Sequence, residues 1–366
     1  MSSFINRRGF FAASGSVLAT AAALLAGCTP SGNQTAGNTT GGGAASPAAA
    51  TSGGAAAAGG TTLTGAGATF PAPLYQRWFQ EYGQKNNVQI NYQPIGSGGG
   101  IKAITAKSVD FGASDAPMND AELGAAPGIL HIPTVAGAVV VAYNAPGVPN
   151  NVKLTGDVIA DMFAGKITRW DDARIAKLNP GVKLPTTSIA PFHRSDGSGT
   201  TNIFTTYLSE VSPSWRADVG AGKSVRWSKG IGGKGNQGVA ALIKQTEGGV
   251  GYLELNYAVA NRIPFATVRN AKGQFITPSV ESTTQAAEGA SLPTDFRKVI
   301  VNTNDPQGYP ITGFTFLLVY PNAKPQLKQF LTWALTDGQK EAAALYYAPL
   351  PPSVQKRALA QVNKLK

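Results

Sequence analysis

One cysteine, Cys28, stands in a chain of 366 residues. No disulfide can form within the chain, so cross-links say nothing of its redox compartment. Histidine is nearly as scarce: His131 and His193 are the only two, and neither has metal-ligand spacing. Blocks of consecutive basic residues are missing, and so is the interleaving of basic and aromatic side chains that a nucleic-acid groove uses. No internal repeat is present, which excludes a solenoid. The apolar run at residues 17–26 is too short for a permanent membrane-spanning helix.

What is present is a large apolar fraction, 43%, and a basic balance of 31 Lys and Arg against 20 Asp and Glu. The length suggests about two domains. The charge suits an anionic partner such as a phosphate-like ligand or acidic lipid.

Residues 1–28 read as an export address. Arg7 and Arg8 form a charged start, a short Val, Leu and Ala run follows, and Leu25-Ala26-Gly27-Cys28 ends it. The last four residues resemble a bacterial lipobox, with the Cys28 thiol as the acceptor of a diacylglycerol. Asn6-Arg7-Arg8-Gly9-Phe10-Phe11 resembles a twin-arginine signal, although Asn6 replaces the usual Ser or Thr. Residues 29–61 are Gly, Ala, Ser, Thr, Pro, Asn and Gln with no charge or aromatic ring, a composition that cannot bury enough apolar area to fold. As a coil this spacer reaches roughly 30 Å.

The remainder alternates strand and helix patterns, so the expected class is α/β. Leu74, Trp78, Phe79 and Tyr82 share one helical face. Strands are expected at residues 88–95, 111–114, 137–144 and 314–320. Helices are expected at residues 101–107, 202–208, 239–245, 328–335 and 339–346.

Three glycine-rich turns precede such helices. The first is Thr64-Gly65-Ala66-Gly67-Ala68-Thr69-Phe70-Pro71, and the second is Gly96-Ser97-Gly98-Gly99-Gly100. Small residues let the backbone approach a ligand, and N–H groups at a helix start favour an anion. The third, Arg194-Ser195-Asp196-Gly197-Ser198-Gly199-Thr200-Thr201, adds a permanent cation. Its guanidinium can offer a fork of donors to a tetrahedral oxyanion, and Asp196 can brace that fork. Asp115 follows an apolar strand in Asp110-Phe111-Gly112-Ala113-Ser114-Asp115. A carboxylate in an anion site is useful when the anion carries a proton. It accepts a hydrogen bond from P–OH, whereas against sulfate it meets only lone pairs.

These segments together resemble the bacterial periplasmic phosphate-binding proteins of the PstS type. The resemblance rests on residues 63–73, 95–100, 110–115 and 194–200. It extends through Lys166-Ile167-Thr168-Arg169-Trp170-Asp171-Asp172, Gly232-Gly233-Lys234-Gly235-Asn236, Gly249-Val250-Gly251-Tyr252 and Tyr309-Pro310-Ile311-Thr312. It implies a two-lobed type II periplasmic binding protein, a Venus-flytrap with the ligand cleft between lobes. Lobe I would combine residues 62–138 and 310–366, and lobe II would span residues 139–309. Inorganic phosphate would be held by Thr69, Phe70, Ser97, Asp115, Arg194, Ser198, Gly199 and Thr200, with Asp196 bracing Arg194. No cofactor, metal or catalytic residue is implied. The partners would be the permease subunits of an ABC importer and the membrane, through lipid on Cys28, with the protein acting as a monomer at the outer face of the cytoplasmic membrane or in the periplasm. Two departures are visible. Gly98 stands where many relatives have a second serine, and His193 precedes the key arginine.

Three rival readings differ in class. A phosphatase-like enzyme would need an activated nucleophile, and Ser198 lacks the flanks of a Gly-x-Ser-x-Gly elbow. A binder of another oxyanion would take sulfate only against the logic of Asp115, while arsenate is protonated like phosphate. A structural surface lipoprotein would bind neither.

Overall fold

β-Branched and aromatic runs separated by amphipathic segments build an eight-stranded sheet with helices between its strands. The structure is a computed structural model and describes residues 61–366. The expected leader, the expected lipidation at Cys28 and the expected spacer up to residue 60 lie outside the described residues. The strands are β1 Thr61–Gly67, β2 Val88–Gln93, β3 Phe111–Ser114, β4 Leu130–Asn144, β5 Lys153–Leu154, β6 Ala190–Arg194, β7 Ile231–Gly233, β8 Gly249–Glu254, β9 Thr267–Arg269, β10 Phe275–Ile276 and β11 Thr312–Val319. The large sheet has the order β2-β1-β3-β11-β4-β8-β6-β7, and β10-β9-β5 form a small second sheet.

Strand β4 is the seam of the large sheet. Its first part, from Leu130 to Ala138, runs antiparallel to β11, and its second part, from Val139 to Asn144, runs antiparallel to β8. One strand thus carries the sheet from a first half (β2, β1, β3, β11) to a second half (β8, β6, β7). Residues 131–143 of β4 are buried, as expected of a strand covered on both faces. The β4–β11 register shifts at Thr315/Phe316, opposite Val135 and Pro133, so Thr134 is an extra residue in the ladder. Its hydroxyl shares a 2.7 Å hydrogen bond with Tyr75.

The helix Ala72–Asn86 begins with Pro in its first turn and ends at Asn87 in the left-handed conformation. It buries Leu74, Trp78, Phe79 and Tyr82 on one side. The Trp78 indole N–H donates to the Gly338 carbonyl at 2.7 Å, and Phe79 packs on Phe330. The two ends of the described chain therefore share one core around these aromatic rings. Each fully buried side chain of this size contributes about 1.5–3 kcal/mol by leaving water.

Three differences from the sequence reading have physical causes. The strand expected at residues 137–144 begins earlier, at Leu130, because the ladder with β11 continues past the polar His131, Pro133 and Thr134. The helix expected at residues 339–346 is two short 3-10 turns, Asp337–Glu341 and Ala343–Leu345. There the buried Gln339 amide donates to Thr134 and Ala334 carbonyls and accepts from Leu350 N, and these long-range bonds override helical preference. The C-terminal helix Pro352–Val362 was not anticipated, although Val354, Ala358 and Val362 recur at its buried positions.

Candidate functional site

The glycine-rich turns meet where the two halves of the sheet face each other. Residues 68–71 connect β1 to the Ala72–Asn86 helix, and Ser97 opens the helix Ser97–Thr105. Asp115 follows β3, Arg194 ends β6, and Ser198 caps the helix Gly199–Val211 by accepting from Thr201 N at 3.0 Å. None of Thr69, Phe70, Ser97, Asp115, Arg194, Ser198 and Thr200 is more than 4% exposed, so their polar groups act on one another away from water.

Glycine is required by the approach of the halves to one another. A Cβ on Gly199 would lie 2.5 Å from Asp115 Cβ, and one on Gly96, whose φ is 90°, would lie 2.1 Å from Asp196 Oδ2. The two backbones join directly, with Gly98 N donating to Gly197 O at 2.8 Å. Ser97 Oγ accepts from Asp115 N at 3.2 Å in its own half and from Gly199 N at 3.0 Å in the other. At the rim the Lys223 ammonium meets Glu122 at 2.7 Å.

Arg194 is the cation of the site. Its Nε and Nη2 close on both oxygens of Asp196 at 2.8 and 2.5 Å, and its Nη1 donates to Thr200 Oγ1 at 3.2 Å. The fork that the sequence reading aimed at an oxyanion is therefore engaged with Asp196, and Nη1 alone lies outside that pair, on Thr200. Burial disfavours the Asp196 carboxylate, but the bonds and charge of Arg194 and the Gly235 N–H outweigh it and hold the group below the usual carboxyl range. The Arg194 backbone is fixed by Tyr252, whose hydroxyl accepts from Arg194 N at 3.1 Å.

Asp115 is the acceptor of the site. Burial pushes its carboxyl up to about 7, against the lowering effects of the Thr315 hydrogen bond, the Arg194 charge and the Ser97 hydrogen bond. Thr315 Oγ1 donates to Oδ1 at 2.9 Å, and Ser97 Oγ to Oδ2 at 3.3 Å. Thr315 stands at the β4–β11 register shift, and that irregularity belongs to the architecture of the site. Phe70 packs its ring against Tyr347, while its carbonyl accepts from the Tyr347 hydroxyl at 2.7 Å.

Four residues of this arrangement escaped sequence reasoning as site residues. Asn236 donates to Thr69 Oγ1, Thr315 holds Asp115, Tyr252 holds Arg194, and Tyr257 donates to the Thr69 carbonyl at 2.6 Å. Asn236 carried a usable signal, since Gly232-Gly233-Lys234-Gly235 is a fourth glycine cluster before a helix. Thr315 carried none inside an apolar strand. The histidines are packing residues. His131 Nε2 accepts from Met118 N, and burial pushes its imidazole down to about 4. The His193 ring stacks on Trp227 with centroids 4.7 Å apart. Among the described residues, no group of His, Cys, Asp and Glu is placed to hold a metal ion.

Buried donors, the Arg194 guanidinium braced by Asp196 and the buried Asp115 carboxyl lie between halves joined by a shared strand, the architecture of a two-lobed binding protein. The sequence pattern of the PBP superfamily domain matches residues 43–338. Similar relatives are the phosphate-binding protein PstS of Xylella fastidiosa (strain 9a5c), 44% identical over 303 residues, covering 81% of this chain and 83% of that protein, and PstS of Pasteurella multocida, 44% identical over 308 residues with coverage of 82% and 89%. The X-ray structure of the phosphate-binding protein of Stenotrophomonas maltophilia has the same fold, with a TM-score of 0.64 at 22% identity, covering 82% of this chain and 93% of that one. The chain belongs to the PBP superfamily and, within it, to the PstS family of phosphate-binding proteins.

Proposed function

We propose that this protein captures inorganic phosphate, as HPO4 or H2PO4, and delivers it to the permease subunits of an ABC importer. The observation that carries the reading is Asp115, a buried acceptor with raised proton affinity set among donors. Thr69, Ser198 and Thr200 supply hydroxyls, Phe70 and Thr200 supply N–H groups, and Arg194 supplies charge braced by Asp196. Ser97 and Gly199 complete the shell by turning to the anion the hydroxyl now donated to Asp115 and the N–H now donated to Ser97. Membership of a family of binding proteins supports binding over hydrolysis. We assign residues 62–138 and 310–366 to lobe I and residues 139–309 to lobe II. The Ala138/Val139 handover in β4 supports a hinge there, and so does the bond from Val139 N to Ile311 O at 2.8 Å. Export through the leader, lipidation of Cys28 and action as a monomer complete the proposal, and the lipobox-like motif supports the anchor.

The test is calorimetric titration of the phosphate-stripped protein with phosphate and, separately, with sulfate. One-to-one phosphate binding without sulfate heat is the expected result. Equal binding of both would make it a general oxyanion carrier, and binding of neither by folded protein would remove the proposal.

A further inference from the structure

The side chain of Asn236 touches two hydroxyls at once. Its Nδ2 donates to Thr69 Oγ1 at 2.9 Å and to Thr200 Oγ1 at 3.3 Å. Its backbone N–H, at the start of the helix Gly235–Gln245, donates to Thr69 Oγ1 at 3.2 Å. Thr200 Oγ1 also accepts from Arg194 Nη1 at 3.2 Å. Asn236 is 0% exposed. The way its amide faces is fixed by Glu254, whose backbone N–H donates to Asn236 Oδ1 at 3.0 Å. An oxygen must lie on that side, so the NH2 must lie on the side of the two threonines.

A hydroxyl has two acceptor lone pairs and one hydrogen. Thr69 Oγ1 receives two hydrogen bonds, and so does Thr200 Oγ1. Both oxygens are therefore saturated as acceptors, and each can only donate its own hydrogen. We infer that Asn236 is a specificity-determining positioning residue: it locks the Thr69 and Thr200 hydroxyls as donors toward the bound anion, leaving Asp115 as the acceptor that the proton of the anion must find. The inference rests on the phosphate reading and deepens it. A free threonine oxygen would accept a second P–OH and so admit a more highly protonated ligand. With the oxygens filled, a second P–OH finds fewer acceptors, so the site binds both protonation states of phosphate but favours the one with a single P–OH.

The test compares wild type, Asn236→Ala and Asn236→Asp by calorimetric titration with inorganic phosphate. It is run at acidic pH, where dihydrogen phosphate dominates, and at alkaline pH, where hydrogen phosphate does. Asp115 takes up its own proton between the two arms, and Arg194, Asp196 and Glu254 face the same groups, so each variant's ratio is read against the wild type, which carries all of them. Asn236→Ala leaves the charge of the site unchanged and frees one lone pair on each hydroxyl. Its alkaline affinity should fall by about tenfold, while its acidic affinity falls much less, so the acid-to-alkaline affinity ratio rises relative to wild type. A merely structural role would lower both affinities equally, and that result, or no change at either pH, would overturn the inference. If the alanine variant does not fold, Asn236→Asp decides. It keeps an oxygen for Glu254 N but turns the donor into an acceptor that draws the threonine hydrogens away from the anion. Alkaline phosphate affinity should then fall by about a hundredfold or more, with partial recovery at acidic pH. Near wild-type alkaline affinity in a folded Asn236→Asp protein would overturn it. Failure of the wild type to bind phosphate would instead bring down the reading beneath.

Discussion

Two loops in the second half of the molecule carry the same local device with different consequences. In Arg169-Trp170-Asp171 the guanidinium closes on both carboxylate oxygens at 2.9 and 2.9 Å. In Arg194-Ser195-Asp196 it does so at 2.8 and 2.5 Å. The geometry is common and the environment is not. The first pair has side chains 52% and 33% exposed, and the second 1% and 13%. An exposed pair is screened by water and restrains little. A buried pair cannot lose one member without leaving the other stranded, so it holds a cation at a defined place. The Arg-x-Asp spacing makes the fork. The glycines after Asp196, which let the opposite half close over it, make the fork matter.

The largest effect should follow from breaking the buried member. Arg194→Ala removes the cation of the cage and leaves the Asp196 carboxylate to backbone N–H groups, Gly235's and its own. Phosphate affinity should fall by about 2–5 kcal/mol, measured by calorimetry. Near wild-type affinity would take Arg194 out of the binding shell.

The next effect sharpens the comparison within the buried region, where two carboxyls move in opposite directions. Asp196 is held low by Arg194, whereas burial pushes Asp115 up to about 7. A carboxyl raised in the folded state binds its proton more tightly there than in the unfolded chain. Its stabilising contribution is complete at acid pH below the usual carboxyl range and is lost as pH rises through about 7. In melting curves of ligand-free protein Asp115 should therefore contribute a falling slope from acid to mildly alkaline pH, set against rising contributions from Asp196 and His131, whose proton affinities are lowered. Asp115→Asn should flatten that slope, with Glu254, also raised by burial, retaining its own share of the same sign. The same variant should relax discrimination between phosphate and sulfate, because an amide can donate where the carboxylate could only accept. Unchanged discrimination would remove Asp115 as the reader of the ligand's proton.

How much of this was legible follows from how local each signal is. The α/β class and the face of Leu74, Trp78, Phe79 and Tyr82 are written in short windows of sequence, and the structure follows them, whereas the helices expected from residues 101 and 202 begin earlier, inside their glycine turns, at Ser97 and Gly199. Thr69, Ser97, Asp115, Arg194 and Thr200 stood out as candidates because glycine, hydroxyl and charge coincide within a few residues, and the structure buries them together. The long-range parts were not. Gln339 bends a helical pattern into 3-10 turns through bonds to Thr134 and Leu350, which no window around residue 339 contains. Thr315 reaches Asp115 across 200 positions, from a strand whose composition speaks only of burial. Asn236 lies between these cases, since its glycine cluster was visible while its two threonine partners depend on the halves meeting.

The smallest effect is assigned to the exposed fork, and it tests whether burial or motif carries the difference. Arg169 and Asp171 hold each other's charge, so the Asp171 carboxyl lies below its usual range because Arg169 hydrogen-bonds to it. Yet both groups face water, which would solvate either one alone. Arg169 also sits beside the single bridge between Arg169 and Ser188, a backbone contact that does not need its side chain. Arg169→Ala should leave phosphate affinity unchanged and shift the melting temperature hardly at all, and raised salt should shrink even that shift. A loss comparable to that of Arg194→Ala would mean that the Arg-x-Asp fork itself, wherever it stands, organises this half of the molecule, and the contrast drawn from exposure would fail.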